Sequence, residues 1–363
     1  MRSATEMRRQ RTGSVGAGRV LIVADDLTGA CDSGVAFLKA GRAVRVVLDA
    51  GAGWESGEGE VLAVTTETRN ETVEAAVERV SAAVRACGDA LVFKKVDSAA
   101  RGHFAAEIVA ALESSGMEMA VVAPAFAEAG RTVVDGVLRV RDIAGQARAV
   151  ALRELFGADG VRVLPRGELE EGLRRAAMDG VRVAICDAVE QEDLERLVRA
   201  VMDAEVRVLW AGSAGLAKAL AGVLPAGAEP VEDEAVRRQG GVLVFVGTPH
   251  PVTEMQVGHL RRGGGSHQVV DFEDAERVRA SFAGGPVAGL VMTGGDTAAF
   301  VLRALGATGI RLRGEIAAGM PWGVIEGGMA EGCVAVTKSG GFGGEDALVR
   351  SIEFCEGRTC ERV

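Results

Sequence analysis

The last quarter of the chain carries three glycine-rich pieces: AGLVMTGGDT ending at Thr297, GEIAAGMPWGVIEGG ending at Gly328, and VTKSGGFGGED ending at Asp346. In the first, Leu290-Val291-Met292 runs through Thr293 into Gly294-Gly295-Asp296-Thr297, and residues from Ala298 to Leu305 read as a helix. A buried strand that stops at two glycines and resumes as a helix leaves backbone N–H groups without partners at the positive end of the helix dipole. Glycine, having no side chain, lets an anion reach them. The same pattern also makes a plain tight turn. Three such segments close together read as one anion-binding surface.

This strand, polar loop, helix grammar recurs upstream. Val20 to Ala24 is a continuous apolar run ending at Asp25-Asp26-Leu27-Thr28-Gly29-Ala30, and a helical stretch then leads to a strand from Val44 to Leu48. Further runs are Val61–Val64, Leu91–Phe93, Met119–Ala123, Val161–Leu164, Val181–Asp187, Val206–Trp210, Val242–Val246 and Cys333–Lys338. Unbroken apolar strands between helices predict an α/β fold with mainly parallel sheets flanked by helices. Val133 to Arg141 alternates like a hairpin over the cleft, and Val150–Phe156 reads as helical.

A chain of 363 residues is about twice a common domain length. The polar stretch LPAGAEPVEDEAVRRQG at 224–240 reads as a linker, so the expectation is a leader at 1–18, one domain at 19–223 and a second at 241–363. The active site would lie in the cleft between them. The balance of 41 Lys and Arg against 51 Asp and Glu, net −10, offers no general attraction to nucleic acid or anionic lipid. Six scattered cysteines show no zinc spacing, the leader lacks an apolar core, and no apolar run reaches membrane-spanning length; a cytoplasmic protein with reduced thiols is expected. Walker A, GxSxG and HExxH motifs are absent.

Open parallel sheets bind ligands beyond the carboxyl ends of their strands. Asp25 and Asp26 stand at such an end, where they could accept a hydroxyl proton or hold a metal through water; one of them could instead cap the helix. Arg69 falls near another strand tip, and Lys95, Asp97, Ser98 and Arg101 cluster after Leu91–Phe93. Arg and Lys there would suit a small carboxylate, the bland reading being a solvated Asp–Arg pair. His103 and His250 read as loop residues, and Lys338 beside its glycines as a phosphate contact or a solvated lysine.

Seven motifs, VLIVADDLTGACDSG, FKKVDSAARG, PAFAEAGRTVVDG, GSAGLA, GTPHPVT, GGDT and KSGGFGGED, resemble in this order those of the four-carbon acid sugar kinase family, over Val20 to Asp346. The resemblance implies an N-terminal acid-sugar domain, a C-terminal nucleotide domain, and transfer of the ATP γ-phosphoryl group to the substrate's terminal hydroxyl. It assigns Asp25, Asp26, Arg69, Lys95, Asp97, Ser98, Arg101, Glu128, Gly130, Arg131 and Thr132 to the substrate side. It assigns Thr248, Gly294, Gly295, Asp296, Thr297, Gly340, Gly341, Gly343 and Gly344 to ATP. Ala99 stands where the family usually has Thr, His103 where Asn is frequent, Thr248 where Ser is common and Gly341 where Asn is usual; the changes at Ala99 and His103 bear on substrate identity more than on reaction type.

The expected protein is therefore a kinase using ATP and Mg2+ on a small sugar acid, with Asp25 or Asp26 orienting or deprotonating the attacking hydroxyl and its metal ligands unassigned. Neither a nucleic acid nor a membrane is an expected partner, and a homodimer is left open. A catalytically silent sensor of the same fold is the alternative. A dinucleotide-dependent dehydrogenase fits less well, since no GxGxxG follows the first strand.

Overall fold

The computed structural model describes residues 18–49, 59–86, 88–141, 147–157, 159–227, 239–247, 249–263, 267–270 and 274–357. Residues 1–17 of the expected leader, most of the expected linker, and Thr248 lie outside the described residues. Among the described residues fourteen strands form one sheet. From one edge they run His267–Val270, Gly241–Val246, Val287–Thr293, Val334–Lys338, Pro321–Glu326, Gly309–Glu315 and Val44–Val47. The order continues Val61–Thr65, Val20–Ala24, Leu91–Lys95, Val208–Gly212, Met119–Ala123, Val183–Cys186 and Val161–Leu164.

Except for the edge strand His267–Val270, which the sequence reading does not include, the parallel strands are the apolar runs read from sequence, and Val20–Ala24, Val61–Thr65, Met119–Ala123 and Val287–Thr293 are buried along their whole length. Helices on both faces supply the cover such strands need. The α/β class with mainly parallel strands and flanking helices holds, and the two expected sheets are joined edge to edge.

The join comes from the middle glycine-rich piece, and here the reading of it as anion-binding surface is corrected. Pro321–Glu326 pairs antiparallel with both Gly309–Glu315 and Val334–Lys338, and Gly309–Glu315 pairs antiparallel with Val44–Val47. Burial alternates strictly along Pro321–Glu326, as in a half-covered strand. Gly323 is required by packing: a Cβ there would meet the Arg311 carbonyl oxygen at 2.4 Å. This antiparallel pair reverses the direction of the sheet, so the parallel set of the C-terminal half runs opposite to that of the N-terminal half. Strand twist of roughly 20–25° per neighbour accumulates across these strands and lets the carboxyl ends of both sets border one cavity.

A hairpin follows Met119–Ala123 as expected, but with a third strand: Arg131–Val134, Val137–Arg141 and Ala147–Ala151 make a small antiparallel sheet. The expected helix at Val150–Phe156 is therefore the end of a strand followed by a short helix at Leu152–Phe156. Asp187 fastens this sheet, its carboxylate accepting from the backbone N–H groups of Asp135 (2.8 Å) and Gly136 (2.9 Å). The larger apolar core is continuous across both halves, from Ile22 and Phe37 to Leu302, Ile310 and Leu312.

Candidate active site

A cavity of about 480 Å³ lies where the carboxyl ends of the two parallel sets meet. One wall carries Asp26, Arg69, Lys95, Asp97, Ser98 and Arg101, and the other carries Gly294 to Thr297 with Ser339, Gly340 and Gly341. Arg131 of the hairpin sheet also lines it. Asn70 donates to Asp296 Oδ2 at 2.8 Å, and the rings of Phe126 and Phe342 stack with centroids 6.2 Å apart, so side chains from both halves meet around it.

Asp26 caps the helix Leu27–Lys39, its Oδ1 accepting from the Gly29 N–H at 2.9 Å. Its Oδ2 accepts from Thr28 Oγ1 at 2.8 Å and from Arg69 Nη1 at 2.9 Å. The same guanidinium binds Asp25 Oδ2 through Nε at 2.7 Å and lies 3.7 Å from Asp97 Oδ2. Asp97 in turn receives both Nε (3.0 Å) and Nη2 (2.5 Å) of Arg101, together with the backbone N–H of Ala99. Three carboxylates thus surround Arg69. The guanidinium expected to grip a substrate acid gives Nε and one Nη1 hydrogen to Asp25 and Asp26, and it also lines the cavity.

Burial separates the pair at the strand tip. It pushes the Asp25 carboxyl above its usual range against the pull of Arg69. It pushes Asp26 the same way, but the charges of Arg69 and Lys95 and the Thr28 hydrogen bond outweigh it and hold that carboxyl low. Burial is outweighed at Asp97 too, where Arg101, Arg69 and Lys95 hold the carboxyl well below its usual range. Charge-assisted hydrogen bonds of this kind favour the ionised form.

A buried layer behind the cations fixes them. Glu107, on the helix Phe104–Ser115, accepts from Thr68 Oγ1 at 2.6 Å and pairs with Lys94 Nζ at 2.8 Å. Thr68 and Lys94 directly precede Arg69 and Lys95, so one carboxylate sets the backbone of both. Lys95 Nζ donates to the Val96 carbonyl at 2.7 Å, which leaves donors of the ammonium for the cavity. Arg101 is 58% exposed and also has donors to spare.

On the facing wall the helix Gly295–Ala304 starts at Gly294, whose φ of 94° suits glycine and whose position offers no side-chain cap. A Cβ on Gly295 would lie 2.4 Å from Asp26 Oδ2, so the helix start abuts the carboxylate of the other half. Lys338 is not on the wall. Its ammonium is buried beneath the loop, donating at 3.1 Å to each of the carbonyls of Ser339, Gly340 and Phe342, and burial brings its pKa down to about 8. Gln256 holds the same loop through the carbonyls of Phe342, Gly343 and Gly344. The Gly340 carbonyl is turned inward to Lys338, and Gly340 and Gly341 line the cavity.

Of the remaining expected residues, Asp25 is buried behind Arg69, Glu128 pairs with Lys218 at 2.5 Å outside the cavity, and Gly130, Thr132, Gly343 and Gly344 are absent from its lining. His103 binds the Glu71 carbonyl and also does not line it. Sequence assigns no site role to Thr28, Asp32 or Asn70, places Ser213 in a turn that lines the cleft and reads His250 as a loop residue; all five line the cavity. For Asp32 the signal was there: it is four residues after Thr28, on the same helical face. His250 gave none, being a lone histidine between two prolines, yet its Nε2 sits 3.2 Å from where a Cβ on Gly341 would be.

Fold and cavity together define a class: an α/β protein with a cation-bearing wall set against a glycine-lined helix start, the arrangement of a phosphotransferase. A family described as a sugar-binding N-terminal domain matches residues 20–162 and 144–220, and one described as a nucleotide-binding C-terminal domain matches residues 275–348. A D-threonate kinase of Bordetella bronchiseptica is 33% identical, over 93% of this chain and 98% of its own. A 3-oxo-tetronate kinase of Methylobacterium radiotolerans is 28% identical, over 92% of this chain and 98% of its own. Among solved structures, a Salmonella typhimurium LT2 protein described as a putative tRNA synthase superposes with a TM-score of 0.72 at 20% identity, over 92% of this chain and 98% of its own, and shares the fold. The chain belongs to the four-carbon acid sugar kinase family. It is a kinase, and among the described residues no helix is long and apolar enough to cross a membrane.

Proposed function

We propose that the protein transfers the γ-phosphoryl group of ATP to the terminal hydroxyl of a four-carbon sugar acid of threonate, erythronate or 3-oxo-tetronate type. The observation that carries this reading is the approach of Asp26 to Gly295, which makes the two walls parts of one cavity. Lys95, Ser98 and Arg101 hold the substrate carboxylate with donors the protein leaves unspent. Arg69 acts behind them by fixing the aspartates. The nucleotide phosphates lie against Gly294 to Thr297 and the Gly340–Gly341 turn, and Thr248 joins them on the strength of the motif alone.

Phosphoryl transfer asks a protein mainly for in-line positioning and for charge stabilisation on the transferring oxygens. Among the described residues no three His, Cys, Asp or Glu side chains are grouped as a metal cage. That suits Mg2+ held largely by phosphate and water, with exposed Asp296, in the first turn of the glycine-led helix, as the carboxylate on that side. Bound there, Mg2+ would neutralise phosphate charge.

A coupled ADP-release screen over threonate, erythronate, their 3-oxo forms and glycerate tests the proposal. Release with at least one four-carbon acid, well above that with glycerate, is expected. Silence with the whole set, while nucleotide and acid still bind, would replace it with the sensor reading.

A further inference from the structure

Among the described residues four carboxylates line the cavity: Asp26, Asp32, Asp97 and Asp296. Three are engaged. Asp26 accepts from Gly29, Thr28 and Arg69, Asp97 from Arg101 and Ala99, and Asp296 from Asn70. Asp32 differs. Its Oδ1 is buried without a hydrogen-bond partner among the described residues. It belongs to the helix Leu27–Lys39 that Asp26 caps, one turn beyond Thr28 and Gly29, so the face of that helix lining the cavity continues through it.

We propose that Asp32 is a catalytic residue, the general base that receives the proton of the attacking hydroxyl. This rests on the kinase reading above. In the step, the O–H bond of the alcohol breaks and its proton passes to the Asp32 carboxylate. The alcohol oxygen bonds the γ-phosphorus, and the bond from that phosphorus to the bridging oxygen breaks, its electron pair leaving with ADP. The proton then passes to solvent.

The surroundings fit the role. Burial pushes the Asp32 carboxyl up to about 7, with Lys95 of the strand Leu91–Lys95 pulling it down and Asp26 of the preceding turn and Glu315 of the strand Gly309–Glu315 pushing it up. A base with a pKa near the working pH combines a usable ionised fraction with real proton affinity. Asp26 and Asp97, held low by their cations, have little of the second.

The test compares wild type, Asp32→Asn and Asp32→Glu with Mg2+–ATP and the four-carbon acid that the screen identifies. A base must be ionised, so wild-type kcat/KM should rise with pH through about 7 and then level. Asp32→Asn should lower kcat by roughly 10²- to 10⁴-fold and abolish that acid limb. Both KM values should stay within about threefold, and the melting temperature should hold or rise, since a buried charge is removed. Should Asp32→Asn not fold, a folded Asp32→Glu with kcat down at least about tenfold and the acid limb retained supports the assignment. An Asn variant with kcat within about threefold of wild type, or with the acid limb intact, or with its loss confined to the nucleotide KM, overturns it. So does a folded Glu variant with wild-type kcat. A wild type that releases no ADP with any acid would overturn the kinase reading and this assignment together, whereas an active wild type beside an active Asn variant would overturn the assignment alone.

Discussion

Arg69→Met should cost the protein about 3–5 kcal/mol of stability near pH 8, the usual consequence of removing one partner from a buried ion network. Asp25, Asp26 and Asp97 all lie within 4 Å of its guanidinium, which is only 16% exposed. Without it, three carboxylates face one another with Lys94, Lys95 and the peripheral Arg101 as the remaining cations. The pH dependence has a defined sign. In the variant Asp25 and Asp26 lose the cation that most lowers them and their folded pKa values move up, while Asp97 keeps Arg101, so the penalty from the strand-tip pair is complete above their folded values and fades as falling pH neutralises them. Denaturant midpoints of wild type and variant at pH 8 and pH 5 check this. The gap should narrow at pH 5, and a gap that does not change with pH would show that Arg69 packs there without acting as a clamp.

The second large effect is expected in activity with little change in fold. A methyl group on Gly295 would fall 2.4 Å from Asp26 Oδ2 and 2.9 Å from its Cβ and Cγ. The carboxylate cannot step aside, because Gly29, Thr28 and Arg69 hold both of its oxygens. Gly295→Ala must therefore move the two walls apart. A displacement on the order of 1 Å between reacting groups costs roughly 10²-fold in rate, so kcat/KM should fall by about that factor, while the stability loss stays within about 1–3 kcal/mol. Gly285→Ala is the control, since nothing lies within 4 Å of its added methyl. Equal activity in the two variants would mean that the walls need not approach this closely.

Much of this architecture could be read from sequence because its parallel strands are unbroken apolar runs ending in distinctive polar loops. Asp26, Lys95, Asp97, Arg101, Gly294 and Gly340 stand out in the sequence for that reason, and all of them line the cavity. The antiparallel pair was hidden by its composition: glycines at 314, 319, 323, 327 and 328 resemble an anion-binding loop. The alternation along Pro321–Glu326 was the signal that it is a strand. Side-chain direction was the other thing sequence could not give. A lysine beside three glycines can face a phosphate or fold beneath its own loop, and Lys338 takes the second course because Ser339, Gly340 and Phe342 turn their carbonyls inward. Arg69 likewise reads as a substrate ligand, and only the structure shows that it also binds Asp25 and Asp26.

The central claim is that acid and nucleotide meet across the cavity bordered by Asp26 and Gly295. Crystals grown with a four-carbon acid and a non-hydrolysable ATP analogue with Mg2+ address it directly. The account predicts the acid's carboxylate at Lys95, Ser98 and Arg101, its terminal hydroxyl near Asp32 and within about 3–3.5 Å of the γ-phosphorus, and the phosphates at Gly294 and Gly340. Nucleotide phosphates found instead in the neighbouring cavity lined by Glu67, Arg279 and Arg303, or an acid bound away from Lys95, would contradict it.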